Sequence, residues 1–274
     1  MTARHDSFFD VPKTAAATSE GAVELPIAYY DSSYYLATFQ VPVAPARQQL
    51  AGTGLEPVVV KRRAVVTLSF FKYRDTSIGP YHEVGMAVLA VPQGQPAELS
   101  SLGELVERPQ QTTDTGFYVL DLPVSTPLAC AAGRDIWGFP KFVTQLPISL
   151  DDKHFSAEVL DPDGASIMSL AGELGYSADT LLPGRDLITF SRLDGQLLRT
   201  HIRSRYQCQT HGGGTVQLRI GPSPHPMAHH LRALELESAV PKVVQTTEHF
   251  QSLLPAGKPD RADSGHPLGR GRAY

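Results

Sequence analysis

The sequence predicts a mainly β protein, an antiparallel barrel or closed sandwich carrying a few short helices, and three observations lead there. Runs of apolar, aromatic and β-branched residues bounded by Gly, Pro, Asp or Ser recur through most of the chain. The spacers between the later runs, DPDG, LDG and HGGG, are short and turn-like, which suits antiparallel hairpins. No alternation of strand and helix patterns is visible, so a doubly wound parallel sheet is not expected.

Taken in order, the expected strands are SYYLATFQV (33–41), AVVTLSFFKY (64–73), EVGMAVLAV (83–91), GFYVLDLPV (116–124), KFVTQLPISL (141–150) and HFSAEVL (154–160). ASIMSLAGEL, DLITFSRL, QLLRTHIRSRYQCQT and TVQLRI continue the pattern. Three segments read as helices. APARQQLAGTGL (44–55) ends at glycine, STPLACAAGRDIW (125–137) offers Ser125 or Thr126 as N-cap with Pro127 in the first turn, and HPMAHHLRALEL (225–236) is the third. The second of these is expected to run from Thr126 towards Gly133 and to pass through the GFP turn into a strand beginning at Lys141. Residues 1–24 and 255–274 are polar or rich in Gly and Pro and read as flexible extensions of one domain, 25–254.

Composition narrows the class of function. The 274 residues, 42% of them apolar, suffice for a sizeable core, and a net charge of -4 gives no basic stripe for nucleic acid. The first twenty residues lack the apolar centre of a secretory signal and no stretch approaches a membrane span, so the expected location is the cytoplasm. Cys130 and Cys208 have no CxxC spacing and read as buried thiols.

Three segments invite a chemical reading. HGGG (211–214) has no nucleophile elbow to serve and no G-K-[ST] after it, so it reads as a turn. Of His225, His229 and His230, the first and second would share a helix face, but a metal site needs a third ligand and usually an acidic partner, and His225 lies between two prolines, so no metal site is expected. GRDIWGFPKF (133–142) places Lys141, one of only seven lysines, directly after a proline and among Trp137, Phe139 and Phe142. A lysine amine attacks carbonyls only when neutral, and an apolar setting can favour that form. Judged on local sequence alone, a lysine opening a strand is an ordinary solvated residue.

GRDIWGFPKF resembles the Schiff-base segment of the acetoacetate decarboxylase family, in which an aromatic-Pro-Lys triplet carries the imine-forming lysine. Lys141 falls on that lysine and Phe139 on the aromatic. RDTSIGPYHEVG (74–85) resembles a second family segment, placing Glu83 on the active-site glutamate and Tyr81 on the tyrosine two before it. The stretch between the two segments is longer here, as an insertion around PQGQPAELSSLGELVERPQ would make it. The resemblance covers about residues 25 to 250 and implies the family's antiparallel β cone, a homo-oligomer and no cofactor. Two departures stand out: the second lysine of the decarboxylase is Phe142 here, and its early arginine, linked to the substrate carboxylate, falls near Ser32.

The resemblance implies a carbon-carbon lyase working through a lysine imine on a small-molecule keto substrate, with Lys141 and Glu83 catalytic. Phe139, Phe142, Trp137, Tyr81, Arg134 and Tyr34 are the expected substrate-binding residues, with Arg134, Arg62 or Arg63 as candidate replacements for the missing carboxylate anchor. Decarboxylation of a β-keto acid is the first expectation. The loss of the second lysine and the early arginine brings aldol, retro-aldol, dehydration or cyclisation chemistry of secondary metabolism close behind it, and the rings of Phe142, Tyr34 and Tyr35 favour a larger apolar substrate. The rival reading is a non-catalytic small-molecule binding module on the same fold.

Overall fold

The computed structural model of the chain describes residue 4 and residues 6–104, 114–151, 153–177 and 181–260. Its strands are, in chain order, β1 (Thr14–Thr18), β2 (Gly21–Leu25), β3 (Ile27–Val41), β4 (Leu55–Pro57), β5 (Val59–Val60), β6 (Arg63–Thr76), β7 (Tyr81–Pro92), β8 (Glu98–Leu99), β9 (Gly116–Asp121) and β10 (Ile148–Leu150). There follow β11 (His154–Leu160), β12 (Ser166–Glu173), β13 (Tyr176–Ser177), β14 (Leu182–Pro183), β15 (Leu187–Leu193), β16 (Gln196–Arg205), β17 (Gln207–Gly212), β18 (Gln217–Ile220), β19 (Val243–Thr247), β20 (Gln251–Leu254) and β21 (Lys258–Pro259). The helices are α1 (Val43–Gln49), α2 (Pro127–Trp137) and α3 (Pro226–Ala233).

The path β3-β6-β7-β9-β15-β16-β20 returns to β3 and closes a seven-stranded barrel, the mainly β architecture the sequence predicts. Its long staves are antiparallel: β3 pairs β6 from Tyr29↔Thr76 to Val41↔Ala64, and β6 pairs β7 from Val66↔Val88 to Tyr73↔Tyr81. One seam, β9 against β15, is parallel. The chain leaves β9 into α2 and a separate sheet before β15, which is the long crossover a parallel pair requires.

That separate sheet, β10-β11-β12-β18, packs against the barrel's outer surface. In β11 Phe155, Ala157 and Val159 are buried and alternate with more exposed residues, the pattern of a strand with one covered face. Strand β3 is buried along nearly its whole length because both its faces are covered. Tyr35 stacks on Phe155 with ring centroids 3.6 Å apart, outside the barrel, while Tyr34 lies in a second core with Phe71, Tyr73 and Phe250. Tyr35 therefore supplies no ring to the interior, contrary to the pairing with Tyr34 that the sequence suggests.

Several local expectations change. Of KFVTQLPISL only Ile148–Leu150 is strand; residues 141–146 lie between Pro140 and Pro147 and form one isolated bridge, Val124↔Val143, rather than a ladder. Helix α2 runs past Gly133 to Trp137, and α1 ends at Gln49, before the glycines. Within the expected N-terminal extension, β1 and β2 form a hairpin tied to α2 by the Ser19 N–H donating to Asp135 at 2.7 Å. The end of the inserted loop, 105–113, and the tail from 261 onwards lie outside the described residues.

Helix α3 is pinned to the barrel by His230, whose Nδ1 is 2.8 Å from Oδ2 of the buried Asp121 at the end of β9. The hydrogen bond to Asp121 raises His230 above its ordinary 6.5, and burial raises the Asp121 carboxyl. Stability from His230 is thus complete below about pH 6.5 and is lost as pH rises through the raised value. Burial lowers His225 and His211, which lose stability below pH 6.5 and leave the alkaline window to His230. Urea midpoints should fall between pH 6.5 and 8.5 in the native protein and stay level in His230→Gln; equal slopes in the two would remove this assignment.

Candidate active site

The local sequence of α2 determines where the lysine goes. Thr126 is the extended N-cap, Pro127 sits in the first turn, and Gly138 ends the helix in the left-handed conformation (φ 64) with its N–H bonded to the Arg134 carbonyl. A Cβ at Gly138 would run into the Arg192 backbone, so this stop admits only glycine. The chain then turns back: Phe139 N–H donates to Gly133 O at 3.0 Å and Lys141 N–H to Phe139 O at 2.7 Å. Leu122 N–H donates to Pro140 O and Val124 N–H to Phe142 O, while Glu83 bridges Val124 on its other side. Residues 122–124 therefore form a spacer between β7 and the lysine segment that sets Lys141 opposite Glu83.

The two side chains meet. Lys141 Nζ lies 2.6 Å from Glu83 Oε2, with side-chain exposures of 5% and 9%. Tyr73 donates its hydroxyl to Glu83 Oε1 at 3.2 Å, and the hydroxyls of Tyr29 and Tyr81 are 3.0 Å apart. The Tyr81 ring centroid is 5.9 Å from Nζ, a cation–π distance. Burial holds the hydroxyls of Tyr29, Tyr73 and Tyr81 well above the ordinary tyrosine range, so all three are protonated hydrogen-bond donors at neutral pH.

A cavity of about 100 Å³ opens over this pair inside the barrel, its wall including Tyr34, Phe71, Phe139, Val119, Leu122 and Phe250. It exists because the cross-strand pairs beside Glu83 are small: Ser69↔Gly85, then Thr67↔Ala87. Among the described residues of its wall, Lys141 and Glu83 are the only charged ones. An amine and a carboxylate in direct contact, held in an apolar chamber beside neutral hydroxyl donors, make an arrangement suited to attack on a carbonyl.

Of the residues expected from sequence, Lys141, Glu83, Phe139 and Tyr34 line the cavity and Tyr81 lies just behind the amine. Three do not come to it. Phe142 follows Lys141 in an extended segment, where successive side chains take opposite directions, and packs on His225 at 4.2 Å. Trp137 lies beyond Phe139, centroids 6.1 Å apart, with its Nε1 bonded to Pro255 O. Arg134 is on the exposed face of α2, and Arg62 and Arg63 are exposed too, so none of these replaces the carboxylate anchor. The lysine is accordingly bounded by a carboxylate and tyrosines, and of the three rings adjacent to it in sequence only Phe139 shares its cavity. Tyr73 and Tyr29 belong to the site through strand register, which leaves no local motif.

The other chemical candidates have structural occupations. His225 caps α3 by accepting from Met227 N–H, His229 bonds Pro224 O and His230 bonds Asp121; no metal-holding cluster occurs among the described residues. Cys130 and Cys208 are buried free thiols. Among the described residues no helix is long and apolar enough to cross a membrane.

Residues 11–254 match the family model described as acetoacetate decarboxylase (ADC). The chain is similar to the crystal structure of acetoacetate decarboxylase from Legionella pneumophila subsp. pneumophila str. Philadelphia 1, at 17% identity and a TM-score of 0.61, covering 94% of this chain and 95% of that one. A second acetoacetate decarboxylase structure is similar at 15% identity and a TM-score of 0.57, covering 86% and 89%. The enduracididine biosynthesis enzyme MppR complexed with pyruvate is similar at 12% identity and a TM-score of 0.59, covering 85% and 88%. No curated protein matches the chain. At these identities the structural likeness speaks for the fold.

Proposed function

This chain belongs to the acetoacetate decarboxylase family, and on that premise we propose that it is a carbon-carbon lyase forming a Schiff base between Lys141 and a keto substrate. The observation carrying the reading is the buried 2.6 Å contact between Lys141 Nζ and Glu83 Oε2 in an apolar cavity. Glu83 takes a proton from the ammonium and the freed amine adds to the carbonyl carbon; loss of water leaves a protonated imine. That imine withdraws the electron pair of a bond to the neighbouring carbon. With a β-keto acid, carbon dioxide leaves and an enamine remains; with a β-hydroxy ketone, an aldehyde leaves instead. Glu83 gives its first proton to the departing water; it gains another from solvent after decarboxylation, or from the β-hydroxyl as the aldehyde leaves, and delivers it to the enamine carbon. Water then hydrolyses the protonated imine to release product and the lysine ammonium.

The cavity wall favours the second kind of substrate. A β-keto carboxylate would find no cation there except the lysine it reacts with. A neutral ketone with apolar substituents has no such cost. The scaffold is compatible with carbonyl condensation, since MppR, of the same fold, has been seen with a condensation product of pyruvate and imidazole 4-carboxaldehyde. A homo-oligomer acting without cofactor completes the proposal.

Incubation with acetone and borohydride, followed by peptide mapping, should add one reduced adduct at Lys141. Repeating it with acetoacetate and with bulky aromatic ketones ranks the substrates. Absence of any adduct at Lys141 with every ketone would overturn the imine in favour of a binding module.

A further inference from the structure

The cavity over Lys141 does not end the hollow in the barrel. A second cavity of about 180 Å³ shares five wall residues with it: Tyr34, Leu36, Thr67, Phe117 and Leu187. Beyond these the walls advance together by one inward-facing position on each stave. On β3 the lining passes from Leu36 to Thr38, on β6 from Thr67 to Val65, and on β7 from Ala87 to Leu89. At β9 it passes from Phe117 to Thr115, just before the strand begins. Steps of two residues are what a strand requires to keep facing one side, so four neighbouring staves carry a single bore along the barrel axis. From Glu83 to Leu89 the bore runs roughly 15 Å, six residues of a tilted strand.

We propose that the second cavity is a tail subsite, and that the substrate is a ketone carrying an unbranched apolar chain of about eight or more carbons that threads past Leu36 and Thr67. The inference rests on the reading of Lys141 as the imine former, which fixes the carbonyl end. The small pairs Ser69↔Gly85 and Thr67↔Ala87 keep the passage open, and the far wall is mainly apolar, with Val65, Leu89, Leu99 and Leu102. Arg185 and Asp186 are its charged members and, with Gln245, suit an outer end in contact with water.

Each methylene that leaves water for such a wall is worth roughly a fourfold gain in affinity. With borohydride present, 2-undecanone should therefore modify Lys141 at a concentration at least about tenfold below that needed for acetone. Val243 and Gln245 on β19 line the second cavity and not the first. Val243→Trp and Gln245→Trp should fill it, removing the advantage of 2-undecanone while acetone trapping stays within about twofold. A Tm shift reads binding without any imine: 2-undecanone should raise the Tm of the native protein and leave that of either filled variant unchanged. Equal Tm shifts in native and filled proteins, or no gain of 2-undecanone over acetone in trapping, would overturn the subsite. A Tm shift confined to the native protein, with neither ketone trapped, would uphold the subsite and overturn only the imine.

Discussion

Lys141→Met and Glu83→Gln, each alone, are expected to destabilise the protein by about 3–5 kcal/mol, and the double variant to recover most of that loss. The reason is desolvation. The two side chains are among the most buried charges in the fold, 2.6 Å apart, and each is the other's countercharge. Lys141→Met leaves a buried carboxylate with the Tyr73 hydroxyl as its hydrogen-bond donor, and Glu83→Gln leaves a buried ammonium facing an amide. The double variant puts a thioether and a neutral amide there, so no uncompensated charge remains. Urea midpoints of the four proteins give the cycle, and additive single losses would show that the contact carries no coupling. Function separates the two partners. Lys141→Met abolishes adduct formation, whereas Glu83→Gln keeps the amine and slows trapping by about 10² to 10⁴, the usual worth of a positioned acid-base group. Undiminished trapping in Glu83→Gln would remove the carboxylate from the mechanism.

Lys141 and Glu83 were legible only through the resemblance of two short segments to a known family, since on local chemistry alone the lysine reads as an ordinary solvated residue. Their meeting was not, since it depends on residues 122–124 acting as spacer between β7 and the lysine segment. Most strands were readable from apolar runs, yet barrel closure comes from β20 returning to Tyr29 of β3, a contact between segments more than two hundred residues apart. Adjacency in sequence misled for Phe142, Trp137 and Arg134. Extended chain turns alternate side chains to opposite sides, and neighbouring helix positions lie about 100° apart, so companions of Lys141 in the sequence are not its companions in space. Tyr73 shows the converse: ten residues from Glu83, it arrives because β6 and β7 pair in the register Tyr73↔Tyr81.

Gly133→Ala should weaken both fold and reaction, against the usual sign for such a change. Alanine in place of glycine within a helix ordinarily stabilises by about 1 kcal/mol. Here α2 passes directly beneath the lysine side chain. A Cβ at 133 would stand less than 3.0 Å from Lys141 Cδ and Cε, closer than real Cβ atoms come, and 3.1 Å from Nζ. The end of the lysine side chain must shift, and because its Nζ is held 2.6 Å from Glu83 in a buried setting, the shift is expected to loosen the pair that defines the site. A net loss of about 1–3 kcal/mol is expected, the range for an extra methyl in a packed interior, together with at least about tenfold slower trapping of acetone. The same substitution placed on Lys141→Ala no longer meets the lysine, whose atoms are the nearest to that Cβ, and should regain its helical benefit, raising the urea midpoint above that of Lys141→Ala alone. This reversal of sign between two backgrounds separates displacement of the lysine from generic damage to α2. Were Gly133→Ala to stabilise the native background and leave trapping unchanged, the helix would have no part in positioning the amine.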